Sequence, residues 1–158
     1  MGQVMASISF SSEKQVLHVD DDDVFLKIAN HRLTKEGYKV TSLSRSEHAL
    51  KHLLNTNCRV CILDIDMPRV NGLELLQEIK AYDGGIQVIM MTGLVSQMTV
   101  LESLRGGAEA CFFKPMPDFT PLLETLDATF FKVERWWRCL HELKNRRASE
   151  LNVIRASQ

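Results

Sequence analysis

Four short apolar segments, each leading into a polar or charged residue, constrain the fold of this chain more than any other feature. Their length and their β-branched and aromatic content are typical of buried strands. In a sheet of parallel strands the carboxyl ends lie along one edge, and ligands bind there. The segments are residues 16–19, 60–63, 88–91 and 111–113, and they lead into Asp20, Asp64, Thr92 and Lys114.

Helix-like segments separate these strands, which predicts alternating strands and helices and therefore a parallel sheet. We expect an α/β fold of the flavodoxin-like class, a doubly wound five-stranded parallel sheet in the order 2-1-3-4-5. Helices are expected on both faces, and the last helix is expected to be extended. This strand order places a crevice between the first and third strands, beside Asp20 and Asp64.

Capping residues predict where several helices begin and end. Gly37 is a typical helix stop. Ser44 and Glu47 have the spacing of a capping box for the second helix. Asp118 or Thr120 is expected to cap the last helix.

The composition bounds the class of protein. The chain has 158 residues, 45% of them apolar and 25% charged, with a formal net charge of −1, which suits one globular domain with an appendage. No apolar stretch approaches the roughly 20 residues of a membrane span, and no basic residue precedes Lys14, so a signal-peptide start is lacking. We expect a cytoplasmic protein that binds neither membrane nor nucleic acid. It would have an N-terminal arm (1–13), a folded domain (14–130) and a C-terminal helical extension and tail (131–158).

The four cysteines include a C-x-x-C pair, Cys58 and Cys61, which is a spacing of zinc and redox sites. Residues three apart on one strand point to opposite faces, and no second ligand pair stands at metal spacing. We therefore expect core or edge cysteines here, with a metal or redox site as the less favoured alternative.

The polar set at the strand ends indicates a chemistry. Asp20 and Asp21 directly follow the first strand, and clustered carboxylates repel one another unless a cation lies between them. Mg²⁺ prefers one or two carboxylates together with water and phosphate oxygens. Asp22 and Asp23 fit the first turn of the following helix, where negative charge is favourable. A less favoured alternative is that all four carboxylates are only charges at the start of that helix.

The segments VLHVDDDD, CILDIDMPRVNG, VIMMTG and CFFKP resemble the marker segments of the response-regulator receiver domain of two-component signalling. The resemblance covers about residues 14 to 130 and rests on all four segments occurring in this order. It implies that Asp64 accepts a phosphoryl group from a histidine kinase or a histidine phosphotransfer protein. The chain would then catalyse its own phosphorylation and dephosphorylation without being a conventional enzyme.

The resemblance also assigns the surrounding residues. Mg²⁺ would be held by Asp20, Asp21, Asp64 and the backbone carbonyl of Asp66. Two further residues are implied to act on the phosphoryl group. Lys114, before a cis peptide bond to Pro115, would pair with one of its oxygens, and Thr92 would donate its hydroxyl to another.

Three positions depart from the family pattern or extend it. Receivers usually carry an aromatic residue or His three positions before the lysine, and here that position is Cys111, which puts the usual surface response in doubt. Asp66 is expected to border the phosphoryl group and to affect how fast water removes it. His18 is interpreted as a core histidine rather than a catalytic base.

The C-terminal segment has an apolar seam at intervals of three and four residues. We expect residues 119 to about 148 to form one helix whose distal half docks a protein, first of all a second copy of the chain. A helix folded back on its own domain and a mobile stub are the alternatives. The seam consists of Leu123, Leu126, Phe130, Val133, Trp137 and Leu140.

The leading functional hypothesis is a stand-alone receiver that signals through protein contacts. One alternative is a receiver-like adaptor that works without phosphorylation, which Cys111 keeps open. A second is a phosphatase of the haloacid-dehalogenase type, because Asp64 and Asp66 form a D-x-D pattern. Those enzymes carry this pattern on their first strand, so the second alternative is the weaker one.

Overall fold

A computed structural model describes residues 13–94 and 96–158. The predicted N-terminal arm therefore lies, except for residue 13, outside the described residues. Five strands alternate with five α-helices, and a short 3-10 helix (Ser46–His48) precedes the second of them. The elements are β1 (Gln15–Val19), α1 (Asp23–Lys35), β2 (Lys39–Leu43), α2 (Ala49–Asn55), β3 (Val60–Asp64), α3 (Gly72–Tyr82), β4 (Gln87–Thr92), α4 (Gln97–Arg105), β5 (Ala110–Phe113) and α5 (Thr120–Ala156).

The sheet confirms the predicted topology. All of its strands pair in parallel, in the order β2-β1-β3-β4-β5. β1 and β3 are neighbours although α1, β2 and α2 lie between them in sequence, so the chain reverses direction across the sheet at this point. The crevice that such a reversal creates lies outside the carboxyl ends of β1 and β3.

Two layers of helices cover the sheet, and each has its own apolar core. On one face α2 and α3 pack against residues such as Leu17, Cys61 and Met90. On the other face α1 and α5 pack against residues such as Val16, Ile62 and Ile89. Successive strand residues alternate between the two cores because their side chains point to opposite faces.

The predicted helix caps are only partly confirmed. α1 ends beside Gly37, whose φ of 90° falls in the left-handed region that glycine tolerates. The capping box at Ser44 and Glu47 is wrong. The residue before the 3-10 helix is Arg45, which makes no side-chain cap. The carboxylate of Glu47 instead pairs with Arg69 across the fold, at 3.0 Å.

The last helix begins at Thr120 and has no side-chain cap at Phe119, the residue before it. Asp118 nevertheless accepts a hydrogen bond from the backbone N–H of Thr120, at 2.9 Å. The helix continues without a break to Ala156, eight residues past the predicted end. The distal half therefore does not fold back on the domain.

Cys58 and Cys61 are both core cysteines, as predicted, but they do not lie on opposite faces of the sheet. β3 begins at Val60, so Cys58 precedes the strand, and both thiols enter the same apolar core. The expectation of opposite faces is wrong, because Cys58 is not part of the strand. Both are free and buried, and burial raises the pKa of each thiol, which disfavours the reactive thiolate.

Candidate functional site

The four polar residues predicted at the strand ends are brought together at one edge of the sheet. Asp20 follows β1, Asp64 ends β3, Thr92 ends β4 and Lys114 follows β5. These four strands are consecutive neighbours in the sheet. The backbone N–H of Lys114 also bonds to the carbonyl of Thr92, at 2.8 Å, which extends the β4–β5 pairing to the site.

Three carboxylates form a cluster in the crevice between β1 and β3. One oxygen each of Asp20, Asp21 and Asp64 lies within 4.8 Å of the others. Asp20 and Asp64 are buried, whereas Asp21 is exposed. An all-oxygen set of this kind suits a hard divalent cation such as Mg²⁺.

The run of four aspartates is divided between this cluster and α1. Asp22 caps the helix, since its carboxylate accepts hydrogen bonds from the backbone N–H groups of Val24 and Phe25, at 3.0 and 3.1 Å. Asp23 occupies the first helical turn. The backbone N–H of Asp22 in turn bonds to Oδ1 of Asp20, at 2.9 Å, which orients that carboxylate.

Lys114 is the cation that faces the buried carboxylates. Its Nζ lies 2.6 Å from Oδ2 of Asp20 and 3.6 Å from Oδ1 of Asp64. The ring of Phe25 lies beneath the ammonium, with 4.8 Å between Nζ and the ring centroid. This ring contact was not predicted, and no local pattern in the sequence links Phe25 to Lys114.

The electrostatics of the cluster favour a cation. Burial, followed by the charge of Asp20, raises the pKa of Asp64, while Lys114 opposes the shift. Burial likewise raises the pKa of Asp20 against the lowering effect of Lys114. Two buried carboxylates thus share one ammonium group, and added positive charge would stabilise their ionised forms.

Thr92 is fully buried and linked to Asp66. Its Oγ1 lies 3.3 Å from Oδ2 of Asp66 and 3.3 Å from the carbonyl of Leu94, and it accepts a bond from the N–H of Leu94, at 3.0 Å. Asp66 itself is exposed. The two predicted neighbours of a phosphoryl group therefore already contact each other, through the hydroxyl of Thr92.

Two further residues noted in the sequence lie on these strands, Cys111 on β5 and His18 on β1. Cys111 is half-buried on β5 against the core beneath α2 and α3. His18 is buried in β1, with its Nε2 3.9 Å from Oδ2 of Asp20 and its ring edge-on to Phe25. Both of its ring nitrogens lack a hydrogen-bond partner among the residues the structure describes, and burial lowers its pKa to about 3.

The fold and this site define a class of protein, and comparison with known families identifies it. The chain belongs to the family of response regulator receiver domains, whose family model matches residues 16–127. It is therefore a receiver domain of two-component systems. No helix in the described part of the chain has the length and apolar character of a membrane span.

Curated relatives are longer proteins. The chain is 34% identical over 103 residues to the probable transcriptional regulator ycf27 of Cyanidium caldarium, covering 65% of this chain and 41% of that protein. It is 34% identical over 111 residues to the transcriptional regulatory protein ZraR of Klebsiella oxytoca, covering 70% of this chain and 25% of that protein. The chain thus spans less than half the length of either relative.

Solved structures show the same fold. A CheY-like response regulator receiver domain protein from Methanospirillum hungatei JF-1 has 31% identity and a TM-score of 0.74, covering 78% of this chain and 98% of that chain. The response regulator protein TrrA from Thermotoga maritima, solved in complex with Mg(2+)-BeF, has 29% identity and a TM-score of 0.67. That match covers 73% of this chain and 98% of the other.

Proposed function

We propose that this receiver accepts a phosphoryl group on Asp64 from a histidine kinase or a histidine phosphotransfer protein and signals through protein contacts. The observation that carries the proposal is the position of Asp64, a buried carboxylate between two other carboxylates and a lysine ammonium. A carboxylate oxygen is a competent nucleophile toward phosphorus. A cytoplasmic location belongs to the same proposal and stays a prediction.

Mg²⁺ fits the residues at the site. It would be held by the carboxylates of Asp20, Asp21 and Asp64, and the family resemblance adds the backbone carbonyl of Asp66. When bound, the ion supplies positive charge that offsets the negative charge of a phosphoryl group. The raised pKa values of Asp20 and Asp64 support this assignment, because buried carboxylates that repel each other are stabilised by a cation.

The side chains of the chain itself would supply the nucleophile, a counter-ion and a hydrogen-bond donor. An oxygen of Asp64 forms a bond to phosphorus while the bond to the donor nitrogen breaks, and the electron pair stays on the donor imidazole. Lys114, 3.6 Å from Oδ1 of Asp64, is placed to pair with an oxygen of the attached group as a point charge. Thr92 would exchange its contact with Asp66 for a hydrogen bond to another oxygen.

Phosphorylation from a small donor tests the proposal. The purified chain is incubated with acetyl phosphate and Mg²⁺, and intact-mass spectrometry counts the added groups. We expect one phosphoryl group in the wild type and none in Asp64→Asn, which keeps the side-chain shape but removes the nucleophilic charge. Incorporation that persists in Asp64→Asn, or in the absence of divalent metal, contradicts the assignment.

Asp20→Ala and Asp23→Ala form a matched pair for the metal ligands. Both remove one carboxylate from the same run, but only Asp20 belongs to the cluster. Calorimetry should show a loss of Mg²⁺ affinity in Asp20→Ala and little change in Asp23→Ala. Equal affinities in the two variants would refute the division of the aspartates between cluster and helix.

The adaptor without phosphorylation is the second candidate, and Cys111 favours it. A cysteine on β5 has no ring to move between buried and exposed positions, so the family's usual surface response is missing at this point. A chain that binds its target equally well as wild type, as Asp64→Asn and after acetyl phosphate treatment would be an adaptor. The phosphatase alternative is set aside, because Asp64 and Asp66 lie within the segment that matches the receiver family model.

A further inference from the structure

The last helix carries an apolar stripe that begins inside the domain and continues beyond it. The part that packs on the sheet includes Leu122, Leu126 and Thr129, all buried. Continued at intervals of three and four residues, the same face of α5 leads to exposed residues along the distal helix. These are Trp136, Leu140, Leu143, Leu151 and Ile154, each between 47% and 64% exposed.

α5 leaves the domain at the amino-terminal edge of the sheet. Lys132 pairs with Glu109 just before β5, at 2.8 Å, and the ring of Trp137 lies under the guanidinium of Arg59 just before β3, at 5.8 Å. From residue 138 onward every residue of the helix is exposed. Most helical stability in proteins comes from tertiary packing, so a packing partner would stabilise this exposed part of the helix.

Two charged residues interrupt the exposed stripe. Arg147 lies on it between Leu143 and Leu151, and Glu150 lies on it one turn before Ile154. Neither side chain has an ion-pair partner among residues 13–94 and 96–158, whereas the neighbouring Arg146 pairs with Glu142 along the helix. The stripe therefore offers both a positive and a negative group to whatever covers it.

The order of these residues distinguishes the possible pairings of two copies. In a parallel, in-register pair each residue meets itself, so Arg147 faces Arg147 and Glu150 faces Glu150. In an antiparallel pair, matching Leu143 with Ile154 also matches Arg147 with Glu150, because Arg147 follows Leu143 by four residues and Glu150 precedes Ile154 by four. Four successive layers then result: Leu–Ile, Arg–Glu, Glu–Arg and Ile–Leu.

We propose that the distal part of α5 pairs with that of a second copy as an antiparallel dimer, with Leu143 against Ile154 and Arg147 against Glu150 of the other copy. The match of unlike charges selects this occupant and this orientation. In heptad terms Arg147 and Ile154 share one core position, and Leu143 and Glu150 share the other. The proposal concerns a surface at the opposite edge of the sheet from Asp64 and does not depend on phosphorylation.

The apolar layers and the charged layers contribute differently to the dimer. The Leu–Ile layers supply the apolar burial that drives association. The Arg–Glu layers add little net stability, because desolvation offsets the attraction, but a wrong register leaves each charge unpaired, which costs far more. The pairing is thus specific and of modest affinity, and the dimer is expected at concentrations of tens of micromolar.

Charge reversal tests both the occupant and the orientation. Sedimentation velocity of the full chain at about 10 to 200 µM is expected to show a monomer–dimer equilibrium for the wild type. Arg147→Glu and Glu150→Arg should each weaken dimerisation about tenfold or more. The double variant, which restores unlike pairs in reversed order, should recover most of the dimer.

Arg135→Glu is the matched control. It makes the same charge change on an exposed residue of α5 away from the stripe, and it should leave the equilibrium unchanged. A monomeric wild type at 200 µM would overturn the proposal and leave a foreign partner as occupant of the stripe. Single reversals that leave the dimer intact, or a double variant that stays monomeric, would overturn the antiparallel pairing, since a parallel pair only exchanges one set of like charges for another.

Discussion

The surroundings of Lys114 show how the charges of the two buried carboxylates are balanced. Its Nζ is closer to Asp20, at 2.6 Å, than to Asp64, at 3.6 Å. Both carboxylates are buried and would repel each other without it. The ammonium therefore neutralises a carboxylate of the cluster, so Lys114 and the proposed Mg²⁺ would compete for Asp20.

This competition leads to a prediction for Lys114→Ala. Removing the ammonium should increase Mg²⁺ affinity roughly three- to tenfold, because an electrostatic repulsion of about 1 kcal/mol between the ammonium and the metal ion disappears. Phosphoryl transfer from acetyl phosphate should fall sharply at the same time, since the group loses its pairing cation. Calorimetry measures the first effect and intact-mass spectrometry the second.

Thr92→Ala serves as the control, because Thr92 shares the site but contacts none of the clustered carboxylates in the contacts described. Its Mg²⁺ affinity should match that of the wild type. If Lys114→Ala binds Mg²⁺ more weakly than Thr92→Ala does, the ammonium does not compete with the metal.

His18 leads to a prediction about acid stability. Burial lowers its pKa to about 3, whereas the unfolded chain titrates near the ordinary value of 6.5. Between these values the unfolded state binds the additional proton, so the contribution of His18 to stability falls as the pH decreases from about 6.5 toward 3. At pH 5 this loss amounts to about 2 kcal/mol relative to pH 8.

Urea unfolding at pH 8 and pH 5 measures this loss. His18→Val, which places an apolar side chain in the same buried position, should raise the stability at pH 5 relative to that at pH 8 by about 2 kcal/mol compared with the wild type. His31→Gln removes an exposed histidine from α1 and should leave the difference as in the wild type. Equal pH dependence in wild type and His18→Val would show that His18 is not the titrating group.

Among the elements, α3 begins in close contact with the backbone of the candidate site. It begins at Gly72, whose N–H bonds to the carbonyl of Ile65, at 2.8 Å, and Asn71 caps the helix by accepting from Leu73 and Glu74. A Cβ on Gly72 would collide with the backbone carbonyl of Asp64. The absence of a side chain therefore lets the helix start directly behind the proposed acceptor.

Gly72→Ala should consequently destabilise the domain by about 2 to 4 kcal/mol, because the obstacle is backbone and cannot move aside as a flexible side chain would. Chemical unfolding measures the free energy. Gly84→Ala is the control, since its Cβ would meet only the carbonyl of Lys80, at 3.9 Å. A Gly72→Ala variant as stable as Gly84→Ala would mean that α3 shifts freely at its start.

The existence and order of the elements followed from local patterns. Strand-like runs, glycine stops and helical periodicity predicted the five strands and five helices that the structure contains. The errors concern helix ends, and only the first of them depends on a distant partner. Glu47 was expected to cap α2 but pairs with Arg69, and α5 runs to Ala156 because no helix breaker follows Pro121.

For the whole molecule, α5 links the domain and its extension more closely than the predicted boundary at residue 130 implies. The ring of Phe130 lies 5.7 Å from that of Tyr38, and Lys132 and Trp137 contact Glu109 and Arg59 beyond that boundary. The first two turns after residue 130 therefore belong to the packed structure. The boundary itself stays a prediction.

Two truncations distinguish the packed turns from the free ones. A chain ending after Arg138 should keep the thermal stability and phosphorylation of the full chain, because it retains Lys132 and Trp137, but it should be monomeric. A chain ending after Thr129 should lose several degrees in Tm, since the contacts of Phe130, Lys132 and Trp137 disappear. Calorimetric melting measures Tm, and light scattering measures the oligomeric state. Equal Tm values for both truncations would contradict the packing of residues 130–137.

The sequence alone predicted which residues would carry the chemistry and determined how the chain is wound, because both depend on patterns within a few residues. The strand-end positions of Asp20, Asp64, Thr92 and Lys114 were visible without coordinates. Only the tertiary structure decided the state of those groups: the pairing of Lys114 with Asp20 and the link from Thr92 to Asp66. Charge balance and desolvation depend on neighbours that folding brings from distant parts of the chain, and no local pattern records them.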